Sequence, residues 1–216
     1  MVERLLVVAH GTASRDGSAT TARLVAAIAV ARPAVAVDLC FLDVAVPRLP
    51  DVLDERPTVL VPLLLSTGFH VQSDIPAAVG GRDNIRVARH LGPDPLLTDV
   101  LADRLDAAAP AATTVLVGSG SSRPEARAEL DAAAAMLGER LARPVQIATI
   151  GEDLAARFAS FPAPIQVATY LLTEGLFLSR LREANLGRGT VAGPLGVHAA
   201  LVELVWRRYD DACGTR

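Results

Sequence analysis

The stretch Leu5-Leu6-Val7-Val8-Ala9-His10-Gly11-Thr12-Ala13-Ser14-Arg15 is an apolar run that stops at a histidine and turns on a glycine. Further along, Val59-Leu60-Val61-Pro62-Leu63-Leu64-Leu65-Ser66-Thr67-Gly68-Phe69-His70 does the same. Short Val/Leu runs of this kind suit strands buried on both faces of a parallel sheet. Each histidine then follows the carboxyl end of a strand, the edge at which open α/β sheets bind ligands. Imidazole is both a metal ligand and the side chain best suited to move protons near neutral pH.

Outward from these turns, strand and helix alternate. Strands are expected near 4–9, 35–42, 58–65 and 85–89, and helices near 18–31, 47–55, 70–79 and 94–108. The pattern then repeats, with strands near 113–118, 144–150, 164–171 and 189–192 and helices near 124–142, 151–159, 175–185 and 196–209. Ser119-Gly120 echoes His10-Gly11, with Arg123 mated to Arg15; Gly175 and Phe177 echo Gly68 and His70; Gly193-Pro194 echoes Gly92-Pro93. The second half keeps the scaffold without the histidines.

The expected fold is therefore α/β, in two similar lobes. Each is a four-stranded parallel sheet flanked by helices in flavodoxin-like winding, with an active cleft between the lobes. The lobes are drawn at 1–109 and 110–216, divided within the Ala/Pro stretch Ala107–Ala112. A strand order 2-1-3-4 puts the switch point between the first and third strands, which lead to His10 and His70.

Composition narrows the partners. Apolar residues make up 51% of the 216-residue chain, enough for a sizeable core, and the net charge of −3 argues against a nucleic-acid surface. No apolar run approaches the ~20 residues of a membrane helix, and no signal leader is expected ahead of the first strand. Cys40 and Cys213 fit no disulfide or zinc spacing, so a cytoplasmic protein is expected.

No dinucleotide fingerprint, phosphate loop or nucleophile elbow occurs. Ser14, Ser66 and Thr67 are read as caps or backbone partners before nucleophiles. Two histidines make a poor structural zinc site but a reasonable transient one, able to hold a divalent ion and accept protons. Metal insertion into a tetrapyrrole needs both abilities, and a carboxylate-rich macrocycle would want arginines at its rim. Arg15, Arg48, Arg82 and Arg123 are candidates by position.

His10-Gly11-Thr12 with Arg15, the segment Pro62–Val71, Asp74-Ile75-Pro76, Tyr170-Leu171-Leu172-x-x-Gly175-x-Phe177 and Gly193-Pro194-Leu195-Gly196 together resemble the sirohydrochlorin chelatases in their long, two-domain form. The resemblance implies an ATP-independent lyase of sirohaem or cobalamin biosynthesis that inserts Co²⁺ or Fe²⁺ into sirohydrochlorin. His10 and His70 would be metal ligands and proton acceptors. Arg15, Ser66, Thr67, Gly68, Arg123 and Glu174 are carried as substrate contacts, Glu174 having the alternative of a solvated turn acid. No permanently bound cofactor is expected, the metal being a substrate, and a monomer is expected because the second half can replace a partner subunit. The alternatives are a metal or tetrapyrrole carrier without turnover, and a ferrochelatase-like enzyme acting on protoporphyrin. His90 and the Arg207-Arg208 pair are expected to be solvated, His198 structural, and Phe177 to fill core.

Overall fold

The computed structural model describes residues 3–68, 70–105 and 111–214. Strands β1 (Arg4–Ala9), β2 (Val37–Phe41), β3 (Thr58–Pro62) and β4 (Ile85–Val87) form a parallel sheet in the order β2-β1-β3-β4. Strands β5 (Thr113–Gly118), β6 (Val145–Thr149), β7 (Ile165–Tyr170) and β8 (Gly189–Val191) form a second in the order β6-β5-β7-β8. Between them run α1 (Arg15–Ala31), α2 (Leu49–Val52), α3 (Ile75–Val79), α4 (Pro95–Arg104), α5 (Pro124–Leu141), α6 (Leu154–Ala159) and α7 (Leu176–Ala184), and α8 (Ala199–Cys213) follows β8. The elements and both strand orders match the sequence reading. Among the described residues no helix is long and apolar enough to cross a membrane.

All of β1 is buried, so alternation divides its side chains between two helix-covered faces. Leu6 and Val8 join Cys40, Leu49, Leu60, Ile75, Val79 and Ile85 in one core under α2 and α3. Leu5 and Val7, also fully buried, serve the face on which α1 and α8 lie. The second sheet repeats this: Val115, Val117, Val167, Phe158, Leu178 and Leu181 form the core under α6 and α7, while α5 packs on β6 and α4 on β7.

Two compact units result: one runs through Leu91 and resumes at Val197, the other is Gly92–Gly196. They differ from the division at 1–109 and 110–216, because α4 belongs to the second unit and α8 to the first. The amphipathic patterns of these helices tell that each needs a sheet, not which sheet. The inferred linker Ala107–Ala112 lies mostly outside the described residues.

Arg208 and Arg104 mark this arrangement. The buried Arg208 of α8 donates to the carbonyls of His90 (3.0 Å) and Leu91 (2.9 Å). Arg104 of α4 donates to that of Leu195 (2.8 Å). Leu91 and Leu195 are mates, their amides donating to Leu64 and Leu171, each at 2.9 Å. The echo therefore aligns Gly92 with Gly196, and the expected pairing of Gly92-Pro93 with Gly193-Pro194 is corrected. Asp94, whose carboxylate accepts from Leu96 N at 3.0 Å, caps α4 as His198, whose Nδ1 accepts from Ala200 N at 3.1 Å, caps α8. His90 and Arg208 are thus buried rather than solvated, since α8 lies over the end of β4.

The amino edge of the first sheet carries a charged knot. Arg4, almost wholly buried, reaches Asp38 (3.1 Å), Asp54 (3.3 Å) and Thr58 Oγ1 (3.1 Å). Burying a guanidinium is tolerable only with its donors satisfied in this way.

Candidate active site

At the carboxyl edge of the first sheet, His10 is held by the chain that follows β2. Ala9 pairs with Phe41, and the ladder continues past both strands: Leu42 N donates to Ala9 O at 3.0 Å and Asp43 N to His10 O at 2.8 Å. Gly11 turns at φ +99°, and a Cβ there would meet the Asp43 carbonyl oxygen at 1.9 Å, so no other residue fits. Ser14 Oγ accepts from Gly17 N (3.2 Å) and caps α1, as expected of a turn serine.

The His10 side chain is exposed, with Nδ1 3.1 Å from the Gly11 carbonyl oxygen. A carbonyl can only accept, so in this contact the ring donates through Nδ1. Asp43, which sequence reasoning did not single out, joins the same turn. Its Oδ1 accepts from Val44 N (2.8 Å) and lies 3.3 Å from Arg48 Nη1, which also donates to Leu42 O (3.0 Å). The available signal was an acid two residues past β2, at the edge where β1 ends.

The segment leading to His70 leaves the neighbouring strand. β1 and β3 are parallel, with Val8 paired to Pro62, and Leu63 N donates to Val8 O at 2.8 Å. Ser66 and Thr67 are half-buried in the loop beyond. Gly68 O accepts from Gln72 N (3.2 Å) within the wide helical turn His70–Asp74 that runs into α3. Phe69 and the side chain of His70 lie outside the described residues. Gly68 does not share the constraint of Gly11: a Cβ there would meet nothing within 4 Å.

The expected arginines scatter. Arg48 stands at this edge, and Arg15 is exposed at the first position of α1. Arg82 precedes β4, at the opposite edge, where it pairs with Glu55 at 3.8 Å. In the second unit Arg123 is the N-cap of α5, so it corresponds to Ser14, and Pro124 corresponds to Arg15. Gly120 (φ +83°) repeats the tight turn against Thr149, whose Cβ would lie 3.1 Å from an added Cβ. Glu174 is half-buried in the connection from β7 to α7. Leu176 and Phe177 are 63% and 43% exposed, so Phe177 does not fill core: it sits on the first turn of α7, while Leu178 and Leu181 supply the buried stripe.

Among the described residues no group of three or more His, Cys, Asp or Glu could hold a metal ion. Burial pushes the Cys40 thiol up to about 12, which makes it core rather than ligand.

Residues 4–108 match the family model CbiX. No curated protein matches the chain. Among solved structures it is similar to SirB, the sirohydrochlorin chelatase of Bacillus subtilis subspecies spizizenii, in complex with cobalt (TM-score 0.84, 19% identity, 99% of this chain and 97% of that one). It is similar to SirB from Bacillus subtilis with Fe³⁺ (0.80, 19% identity, 100% and 97%). A third is CbiX, the terminal enzyme for biosynthesis of siroheme in denitrifying bacteria (0.74, 23% identity, 97% and 99%). These likenesses extend the shared fold across both units.

Proposed function

We propose that the chain, whose residues 4–108 match the family model CbiX, is a sirohydrochlorin chelatase. It inserts Co²⁺ or Fe²⁺ into the macrocycle, two pyrrole protons leaving as the ion enters, without ATP. The observation that carries this reading is His10, exposed at the carboxyl end of β1, beside the strand that leads to His70. Solved chelatases of this fold hold cobalt and Fe³⁺, in keeping with it.

The residues divide the work. His10, and by the family likeness His70, bind the ion before transfer and accept protons from the pyrrole nitrogens. Arg15 and Arg48 stand at the same edge and can meet carboxylates of the macrocycle as charge-assisted pairs. Ser66, Thr67 and the open backbone at Gly68 line the approach from β3, and Arg123 and Glu174 are further candidate substrate contacts. A working monomer in a reducing cytoplasm suits Fe²⁺ and the free thiols of Cys40 and Cys213.

The test is spectroscopic. Sirohydrochlorin in large excess over the protein, with Co²⁺ or Fe²⁺, is expected to convert through many turnovers, faster than without protein. A change that stops at one equivalent identifies a carrier instead and overturns the proposal.

A further inference from the structure

Two valines stand out in water on the loop whose Asp43 N donates to His10 O. Val46 is 77% exposed, and Val44 is 53% exposed at φ +65°. A β-branched side chain in the left-handed region is a genuine outlier that persists only where its surroundings impose it. Here the bracing is visible. Asp43 N donates to His10 O (2.8 Å), Ala45 N to Asp43 O (2.7 Å), and Phe41 N to Pro47 O (2.9 Å). Arg48 ties Leu42 O and the Asp43 carboxylate from the far end of the loop.

This loop holds two apolar side chains in solvent, is joined to the His10 main chain through Asp43 N and ends at Arg48. That combination matches one kind of ligand, a flat apolar ring with carboxylates on its rim: ring against valines, rim to Arg48 and Arg15. We infer that Val44 and Val46 form the seat for one face of the tetrapyrrole beside His10, and so determine tetrapyrrole affinity rather than metal handling. The inference rests on the proposed chelatase reading. A loop locked before binding loses little entropy when the ring arrives.

Val44→Asn and Val46→Asp test it, with Val30→Asp at the exposed end of α1 as control. Asn tolerates the left-handed backbone, so Val44→Asn removes the apolar surface without adding strain. Metal-free sirohydrochlorin is titrated into each protein by absorbance, then rates are measured against tetrapyrrole and against Co²⁺. Each loop variant is expected to raise the Kd and KM for sirohydrochlorin about tenfold. Its kcat and its KM for Co²⁺ stay within about twofold of the parent, and the control matches the parent. Should Val46→Asp fail to fold, Val46→Thr keeps the shape and is expected to weaken binding about threefold. Unchanged Kd in both loop variants, or an effect confined to kcat or the Co²⁺ KM, overturns the seat. A parent that binds sirohydrochlorin but inserts no metal overturns the chelatase reading alone, and the valine variants still decide the seat by Kd. A parent that binds none overturns both.

Discussion

Arg208 donates to the Leu91 carbonyl just as Arg104 donates to that of its mate Leu195. In each unit, a helix contributed by the other sequence repeat thus satisfies a carbonyl in the segment that follows the last strand. The first of these clamps is the drier, Arg208 being buried and Arg104 exposed.

Arg208→Ala leaves the carbonyls of two residues, His90 and Leu91, without their donor, and each unsatisfied buried group costs about 1–3 kcal/mol. The expected loss is about 2–4 kcal/mol by urea denaturation, and Arg104→Ala, where water can replace the guanidinium, costs under about 1 kcal/mol. Equal losses would contradict the role of burial.

The helix caps test the same alignment. Asp94→Ala removes the cap on Leu96 N and is expected to cost about 1 kcal/mol. His198→Asp copies the first repeat into the second, placing a carboxylate at the start of α8. Its thermal midpoint is expected to equal or exceed the parent's, since an anion there meets the positive end of the helix dipole.

Much of this was open to reading in the chain. β1 and β3 are nearly continuous Val/Leu runs because both sheet faces are covered, and such runs reveal parallel strands. Gly11 was also readable as a turn glycine, and its partner across the turn is Asp43. The helix exchange was hidden because α4 and α8 carry similar apolar stripes and the clamps are side chain to main chain, which leaves no pattern along the sequence. For that reason the burial of His90 and Arg208 is not legible in the chain. Asp43 was hidden too: its nearness to His10 depends on β2 pairing with β1 beyond the end of both strands.

Acid should loosen the knot around Arg4. Hydrogen bonds from the Arg56 side chain and backbone, with the nearby charges of Arg4 and Arg56, lower the Asp54 carboxyl to about 2. An unfolded Asp titrates near ~3.9, so the carboxylate favours the folded state above that pH. This contribution is lost as pH falls through about 4 toward about 2. Urea midpoints of the parent should drop across that window, and Asp54→Asn, which cannot titrate, should show a shallower decline there.

Gly11→Ala and Gly68→Ala separate two glycines that look alike in sequence. At Gly11 the new methyl would overlap the Asp43 carbonyl and the residue would be left at φ +99°, so a loss above about 2 kcal/mol is expected. At Gly68 the methyl enters open space, and the change should stay within about 0.5 kcal/mol. Activity should fall in the first variant even where it remains folded, because displacing Asp43 releases the main chain of His10.

His10→Ala isolates chemistry from folding. The side chain is exposed, so stability should change by no more than about 0.5 kcal/mol. A lost metal ligand and proton acceptor should lower kcat/KM for Co²⁺ insertion by about 100-fold or more. Metal-free binding of sirohydrochlorin should persist, since the valine and arginine contacts remain. Rates equal to the parent's in a folded His10→Ala variant would mean that this imidazole neither delivers the ion nor takes the protons.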